Sequence, residues 1–342
     1  MGLRLIHRFI SRQTLCDSIF MTLVMLLSVC FVFPLQAGVS QYKTSFHDLF
    51  SVSFPSENDG WVCGRWGTIL HTSDGGKTWE KQKSGVRYTL TTIRFVDAQT
   101  GWAVGDVGTI LHTTDGGATW EKQESPVPFF LMGACFVSPQ KGWIVTERTH
   151  ILSTEDGGKT WKVTFKDQDY ILKAVSFCDP LHGWAVGEYG YTYYTKDGGA
   201  TWENQCGFCT VSAETGELVG GQYLFDVVAF DPKTAWAAGI DGYVTRTVDG
   251  GETWQEVKTG APVTQLFCLG SDLKETIMIG GKGVFLWSHD GGRTWKAPEF
   301  IPPVDYGWLY GITQRGSQGF AAVGWRGAIY LSSSEGWRRV GY

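Results

Sequence analysis

No stretch after residue 40 repeats apolar residues at helical spacing, so a helical body is excluded for most of the chain. Charge is scarce as well. Only 18% of the 342 residues are Asp, Glu, Lys or Arg, and the formal net charge is −5. No basic stripe occurs, which removes nucleic acid from the expected partners. Of the eight cysteines, only Cys206 and Cys209 stand in a Cys-x-x-Cys spacing, with no second pair to complete a zinc site. Thr210 follows Cys209 where haem attachment requires His, so no metal or cofactor is expected. What the chain has in quantity is glycine (45), tryptophan (16) and hydrophobic residues (43%). Many glycines and aromatics with regular turn signals read as all-β with short strands.

The turn signal is one string. Thr113-Thr114-Asp115-Gly116-Gly117-Ala118-Thr119-Trp120 recurs with small changes at Thr72–Trp79, Thr154–Trp161, Thr195–Trp202, Thr247–Trp254 and Ser288–Trp295. An eroded seventh copy is Ser333-Ser334-Glu335-Gly336-Trp337. Asp accepts hydrogen bonds from backbone N–H groups one to three residues ahead, and paired glycines supply positive φ at little cost. Asp74, Asp115, Asp156, Asp197, Asp249 and Asp290 are therefore read as structural turn residues rather than calcium ligands or catalytic acids, since each copy serves the same local purpose. His71 and His112 hold one place in adjacent repeats, and repeat inheritance accounts for them better than metal ligation.

The aspartates are spaced by 41, 41, 41, 52 and 41 residues, with Glu335 another 45 on. A period near 41 suits four short antiparallel strands with their turns, one propeller blade. Each repeat begins with a strand such as Leu49–Phe54 or Leu90–Phe95. A Gly-Trp strand such as Gly101–Gly105 follows, then a third such as Thr109–Thr113, and the box leads into a fourth such as Trp120–Glu124. Continuous apolar runs fit strands covered on both faces. The expected fold is an all-β, seven-bladed propeller of four-stranded antiparallel blades over residues 46–342, with Gln41–Ser45 a candidate closing strand. The single departure from the period is an insertion at 204–221. Cys206 and Cys209 can staple it as a disulfide in an oxidising compartment. Cys63, Cys135, Cys178 and Cys268 lie on apolar strands and read as buried small hydrophobes.

Residues 1–37 read as an export signal. Arg4, Arg8 and Arg12 precede an apolar run from Ile19 to Phe33, and Ala37 offers a small residue for cleavage. An uncleaved anchor is the alternative, and either places the body outside the cytoplasm. Residues 38–45 form a linker. Removing the first 37 residues takes the net charge from −5 to −7.

The run Gly101-Trp102-Ala103-Val104-Gly105 through the box to Trp120 resembles the repeat of photosystem II assembly factors of the Ycf48 and Hcf136 type, and the likeness extends over nearly the whole chain after residue 46. The resemblance implies an exported, non-enzymatic propeller that binds subunits of a membrane protein complex during assembly, with peripheral membrane association. The compartment would be the periplasm, or the thylakoid lumen in a photosynthetic source. It further implies an arginine-rich partner surface, for which Arg65, Arg148 and Arg326 match, while other repeats carry Asp106, Glu188, Asp241 and Lys282 there. Trp66, Tyr189, Trp308, Tyr310 and Trp325 could serve a binding face or the core.

The alternative is an Asp-box glycoside hydrolase of sialidase type. That chemistry needs three arginines converging on a carboxylate, a Tyr–Glu nucleophile pair and an acid–base Asp. Arg94, Arg246 and Arg315 and Tyr191, Tyr193 and Tyr243 are available, but the Phe/Tyr-Arg-Ile-Pro signature is missing. Other glycosidases need two carboxylates at a set separation, which 34 acidic residues do not exclude.

Overall fold

The computed structural model describes residues 47–207, 209–211, 218–304, 307–334 and 336–341, with the side chains of 209–211 and 218–219 outside the description. Leu49–Ser53 (β1), Gly60–Gly64 (β2), Ile69–Thr72 (β3) and Glu80–Gln82 (β4) form an antiparallel sheet in chain order, the first blade. Blade 2 is Leu90–Phe95 (β5), Gly101–Gly105 (β6), Thr109–Thr113 (β7) and Glu121–Gln123 (β8); blade 3 is Leu131–Phe136 (β9), Gly142–Thr146 (β10), His150–Thr154 (β11) and Lys162–Lys166 (β12). Blade 4 holds Leu172–Phe177 (β13), Gly183–Gly187 (β14), Thr192–Thr195 (β15) and Glu203–Cys206 (β16). The insertion adds a hairpin of Cys209–Val211 (β17) and Leu218–Gly220 (β18).

Blade 5 follows as Leu224–Ala229 (β19), Ala235–Gly239 (β20), Val244–Thr247 (β21) and Gln255–Glu256 (β22). Blade 6 has Leu266–Ser271 (β23), Ile277–Gly281 (β24) and Phe285–Ser288 (β25), and its fourth strand shrinks to a single bridge between Trp287 and Lys296. Pro298 has no N–H to continue that pairing. The chain instead lends Phe300–Ile301 (β26) to the outer edge of blade 7, which is otherwise Leu309–Gln314 (β27), Phe320–Gly324 (β28), Ala328–Ser333 (β29) and Gly336–Val340 (β30). The seven blades make a β-propeller. The fifth strand of blade 7 thus comes from Phe300–Ile301, while Gln41–Ser45 lies outside the described residues. Strand ends shift by a residue or so from expectation. The fourth strand of blade 2, for example, starts at Glu121, because Trp120 belongs to the turn.

Second strands explain the apolar runs. Every residue of β2, β6, β10, β14, β20 and β24 is buried, since blades cover both faces. Their tryptophans stack across the blade joints: Trp61 on Phe95 at 3.7 Å, Trp102 on Phe136 at 4.0 Å and Trp143 on Phe177 at 3.5 Å between centroids. A fully buried indole contributes roughly 4–6 kcal/mol of gross transfer free energy. His71 and His112 lie against Trp61 and Trp102 at 4.5 and 4.7 Å, and burial lowers both their pKa values. They are packing residues.

The box is a turn with an added task. In its third copy Asp156 Oδ1 accepts from the Thr160 N–H at 2.9 Å and the Thr154 hydroxyl at 2.9 Å, while Oδ2 takes the Thr160 hydroxyl at 2.6 Å. The main-chain donor is thus the threonine four residues on, further along than the sequence suggested. These hydroxyl and N–H donors hold the carboxyl down to about 2. The carbonyl of the first box glycine, however, belongs to the neighbouring blade. Gly116 O accepts from Trp61 and Gln82, Gly157 O from Gln123, Gly198 O from Trp143, Gly250 O from Gln205, Gly291 O from Arg246 and Gly75 O from Arg315. In all six, the donor comes from the preceding blade of the ring. The second glycine leaves room for this: a Cβ on Gly117, Gly158 or Gly251 would collide with the amide of Gln82, Gln123 or Gln205.

Candidate functional site

The first strands of the seven blades enclose a central channel of about 820 Å3. Its lining follows from a length mismatch repeated in every blade. Leu49 pairs with Gly64 and Ser51 with Cys63, so Phe50 is passed over. The same irregularity passes over Thr91, Met132, Lys173, Phe225, Phe267 and Tyr310. A bulge re-aims the unpaired side chain, and all seven of these residues line the channel. Blades 5, 6, 7 and 1 set aromatic rings there in an arc: Phe225–Phe267 at 5.3 Å, Phe267–Tyr310 at 5.4 Å and Tyr310–Phe50 at 5.1 Å between centroids. Blades 2 to 4 complete the ring with Thr91, Met132 and Lys173.

Further along the channel stand Arg94 and Asp226. Arg94 Nη1 donates to Ser51 Oγ at 2.9 Å and Ile93 O at 3.0 Å. Asp226 accepts the Val227 N–H at 2.9 Å on one oxygen and the Leu269 N–H at 2.8 Å on the other. Burial pushes Asp226 up to about 6, against the Leu269 hydrogen bond and the charge of Arg94. Burial likewise draws Lys173 below the usual lysine range, with Glu188 opposing.

One end of the channel opens among the turns joining second to third strands. Each such turn is tied to the start of its blade's first strand by a main-chain bond, as Arg65 N to Asp48 O, Asp106 N to Thr89 O and Trp325 N to Trp308 O. Six of the seven turns carry a non-glycine residue with positive φ at the tip: Trp66, Val107, Arg148, Tyr189, Asp241 and Arg326. The structure therefore separates the three arginines. Arg148 and Arg326 occupy the tip, whereas Arg65 sits one position earlier and its tip is Trp66, 66% exposed. Arg65 is also neutralised by Asp48 at 3.1 Å. Among the described residues no carboxylate lies within 4.0 Å of the guanidinium of Arg148 or Arg326, and each guanidinium rests on an aromatic ring, Phe129 at 5.1 Å and Trp325 at 4.7 Å.

Blade 3 is distinctive at this face. Arg148 at φ 68° is followed by Thr149 at φ 50°, where five other blades have glycine. A β-branched residue there is strained, and it is held by hydrogen bonds with Tyr170, to O at 2.5 Å and from N at 3.0 Å. Strain retained in this way points to function at Arg148. The sequence offered no signal for the bulge ring, which repeats no single residue type, whereas Thr149 stands in the sequence where other blades carry glycine.

The other expected constellations are placed as follows. Arg94 lies in the channel, Arg246 at the joint of blades 5 and 6, and Arg315 at the joint of blades 7 and 1, so the three do not converge. Tyr193 hydrogen-bonds Asp167 at 2.8 Å and no Glu. Cys206 is half-buried, and burial raises the pKa of its thiol in the reduced form. The side chain of Cys209 lies outside the described residues, and their pairing with it. Cys63 and Cys268 are buried, and Cys135 and Cys178 are partly so. Among the described residues no group of three or more His, Cys, Asp or Glu is placed to hold a metal ion, and no helix is long and apolar enough to cross a membrane.

Comparison with known proteins follows this geometry. A search of curated protein sequences returns no match. Among solved structures, one of Ycf48 bound to a D1 peptide superposes with a TM-score of 0.68 at 22% identity, covering 86% of this chain and 95% of that one. Ycf48 from Cyanidioschyzon merolae gives 0.68 at 21% identity, over 84% and 95%. A GH74 enzyme of Niastella koreensis gives 0.67 at 14% identity, over 86% of this chain and 54% of its own. At these identities the superpositions establish the propeller alone. The sequence profile described as Photosynthesis system II assembly factor YCF48 matches residues 40–128, 125–204 and 163–339, nearly the whole body, and the chain belongs to that family.

Proposed function

We propose that this propeller is a non-enzymatic assembly scaffold that holds a polypeptide segment of a photosystem II subunit on the turn face around the channel mouth. The observation that carries the reading is the pairing of Arg148 and Arg326, each guanidinium on an aromatic ring and without a carboxylate partner among the described residues, with the aromatic arc of the bulge ring. Aromatic and arginine side chains are the usual anchors of protein interfaces. Family membership supports it, as does the Ycf48 structure that holds a D1 peptide. Residues 1–37 serve as the export signal and 38–45 as a linker, which puts the body in the periplasm or thylakoid lumen, peripheral to the membrane. In that oxidising compartment Cys206 and Cys209 pair to staple the insertion.

Against hydrolysis stands the channel lining. Its one carboxylate among the described residues is Asp226, and backbone N–H groups occupy both its oxygens. Glycoside hydrolysis needs two carboxylates flanking the bond.

Crosslinking pull-down from membranes of the native cell, together with titration of a labelled D1 peptide, tests the proposal. R148E and R326E are each expected to weaken binding about tenfold or more, the cost of losing a desolvated anchor. R65E should have a smaller effect because Asp48 already neutralises that charge. Recovery of no membrane protein above background, or unchanged binding in R148E and R326E, overturns it.

A further inference from the structure

Two cations, Arg94 and Lys173, face the channel with donors to spare. Arg94 is accessible inside it and engages the protein only through Nη1, so Nε and Nη2 have no protein acceptor among the described residues. Lys173, on the bulge ring, likewise has no acceptor among them. Asp226 and Glu188 stand near enough for their charges to act on Arg94 and Lys173, but among the described residues neither forms an ion pair with them within 4.0 Å. Lys173 is half-buried, and a cation in that setting is normally paired. Its ammonium and most of the Arg94 guanidinium face one cavity and offer their donors to an anion.

The surrounding surface defines the rest of the ligand. Ser51, Thr91, Thr92 and Ser176 bring hydroxyls, each of them already engaged between blades. The larger apolar area is the arc of Phe225, Phe267, Tyr310 and Phe50, whose tilted rings follow one another at 5.1–5.4 Å between centroids. A volume of about 820 Å3 lies within the range of small-molecule pockets, roughly 300–1,000 Å3. We propose that the channel binds a small organic carboxylate with an aromatic body, its acid group on Arg94 and Lys173 and its ring against the aromatic arc. This site shares the aromatic arc with the proposed partner surface but not the tips of Arg148 and Arg326.

The test is calorimetric titration of the signal-processed chain with 2-naphthoate and with 2-naphthamide, the neutral analogue of the same shape. Saturable binding of naphthoate is expected, with naphthamide at least tenfold weaker. K173Q and R94Q should each weaken naphthoate about tenfold and leave naphthamide unchanged, and F267A should weaken both ligands alike. Because Arg94 also links blades 1 and 2 through Ser51, R94Q is first checked by its thermal melt. If it does not fold, K173Q alone decides, since Lys173 makes no such link. R94Q or K173Q should still capture the membrane partner of the preceding section, so failure of that reading and failure of this one are distinguishable. Absence of naphthoate binding, equal affinity for the two ligands, or no effect of K173Q overturns the inference.

Discussion

Asp226 faces the channel, and burial pushes its pKa up to about 6, with its Leu269 hydrogen bond and Arg94 opposing. The box aspartates are shifted the other way. Thr119 and Thr113 hold Asp115 down to about 2, as Thr253 and Thr247 do Asp249. The two kinds of carboxylate therefore give opposite pH slopes. A carboxyl whose folded pKa is depressed stabilises the fold above the unfolded value near 4 and loses that contribution as pH falls through about 2. Asp226, with a raised pKa, binds its proton more tightly when folded, so it favours the fold below about pH 4 and loses that contribution as pH rises through about 6. His71 and His112, whose pKa values burial lowers, contribute with the opposite sign to Asp226, so the test is a difference. Urea melts of wild type and D226N across that range should show wild type gaining on the variant as pH drops from 7 to 4, by at most about 3 kcal/mol for a shift of roughly two units. A difference independent of pH would show that folding leaves the Asp226 pKa unshifted.

At the scale of the blade, the box joins as well as turns. Gln123 ties blade 2 to blade 3 by donating to Gly157 O at 2.9 Å and accepting from Trp161 Nε1 at 3.0 Å. Gln82 does the same one joint earlier, but Gly116 O has a second donor in Trp61 at 3.1 Å. Q123L leaves both a buried carbonyl and an indole N–H without partners, and should cost about 2–4 kcal/mol. Q82L, with one group still satisfied, should cost about 1 kcal/mol less. Equal losses in thermal and urea melts would remove the joint from the account. Blade count, strand order and turn positions were legible in the chain because the box repeats letter for letter. The joints were not, because the donor to the box carbonyl is Trp, Gln or Arg according to the blade. The channel ring was hidden for a related reason: a bulge arises from unequal strand lengths, and its residue is Phe, Thr, Met, Lys or Tyr. The Arg148 and Arg326 tips could be aligned from sequence, but Arg65 looked equivalent until the turn placed it one residue earlier.

Six of the seven joints connect blades that follow one another in the chain, and the seventh must close the ring without that help. Among the described residues no strand of blade 7 comes from the N-terminal side, so β1 packs face to face on β27 and β28. Leu49, Val52, Phe54, Val62, Leu70 and Trp79 meet Ala321, Val323 and Ile329 in one apolar cluster. Polar bonds lock it. Asp48 accepts Arg326 N at 3.0 Å, Glu57 accepts Ser317 N at 2.9 Å, and Arg315 spans the joint. From its buried position Arg315 reaches Gly75 O at 2.7 Å, Gln318 O at 3.0 Å and Ser332 O at 3.2 Å. Burial lowers its pKa while Glu57 opposes, so part of the bonding gain offsets the cost of desolvating a cation. R315M removes that cost but leaves three carbonyls short of a donor, and should lose about 2–4 kcal/mol. Where the loss appears is the sharper expectation. Blades 2 and 3 in Q123L remain tethered by the chain, whereas blades 1 and 7 in R315M are free to part locally. Hydrogen exchange in R315M should therefore speed up first in β1 and β27–β30, with the strands of blades 3 to 5 keeping their protection. Uniform acceleration around the ring would mean that closure rests on the apolar cluster and that Arg315 adds only to global stability.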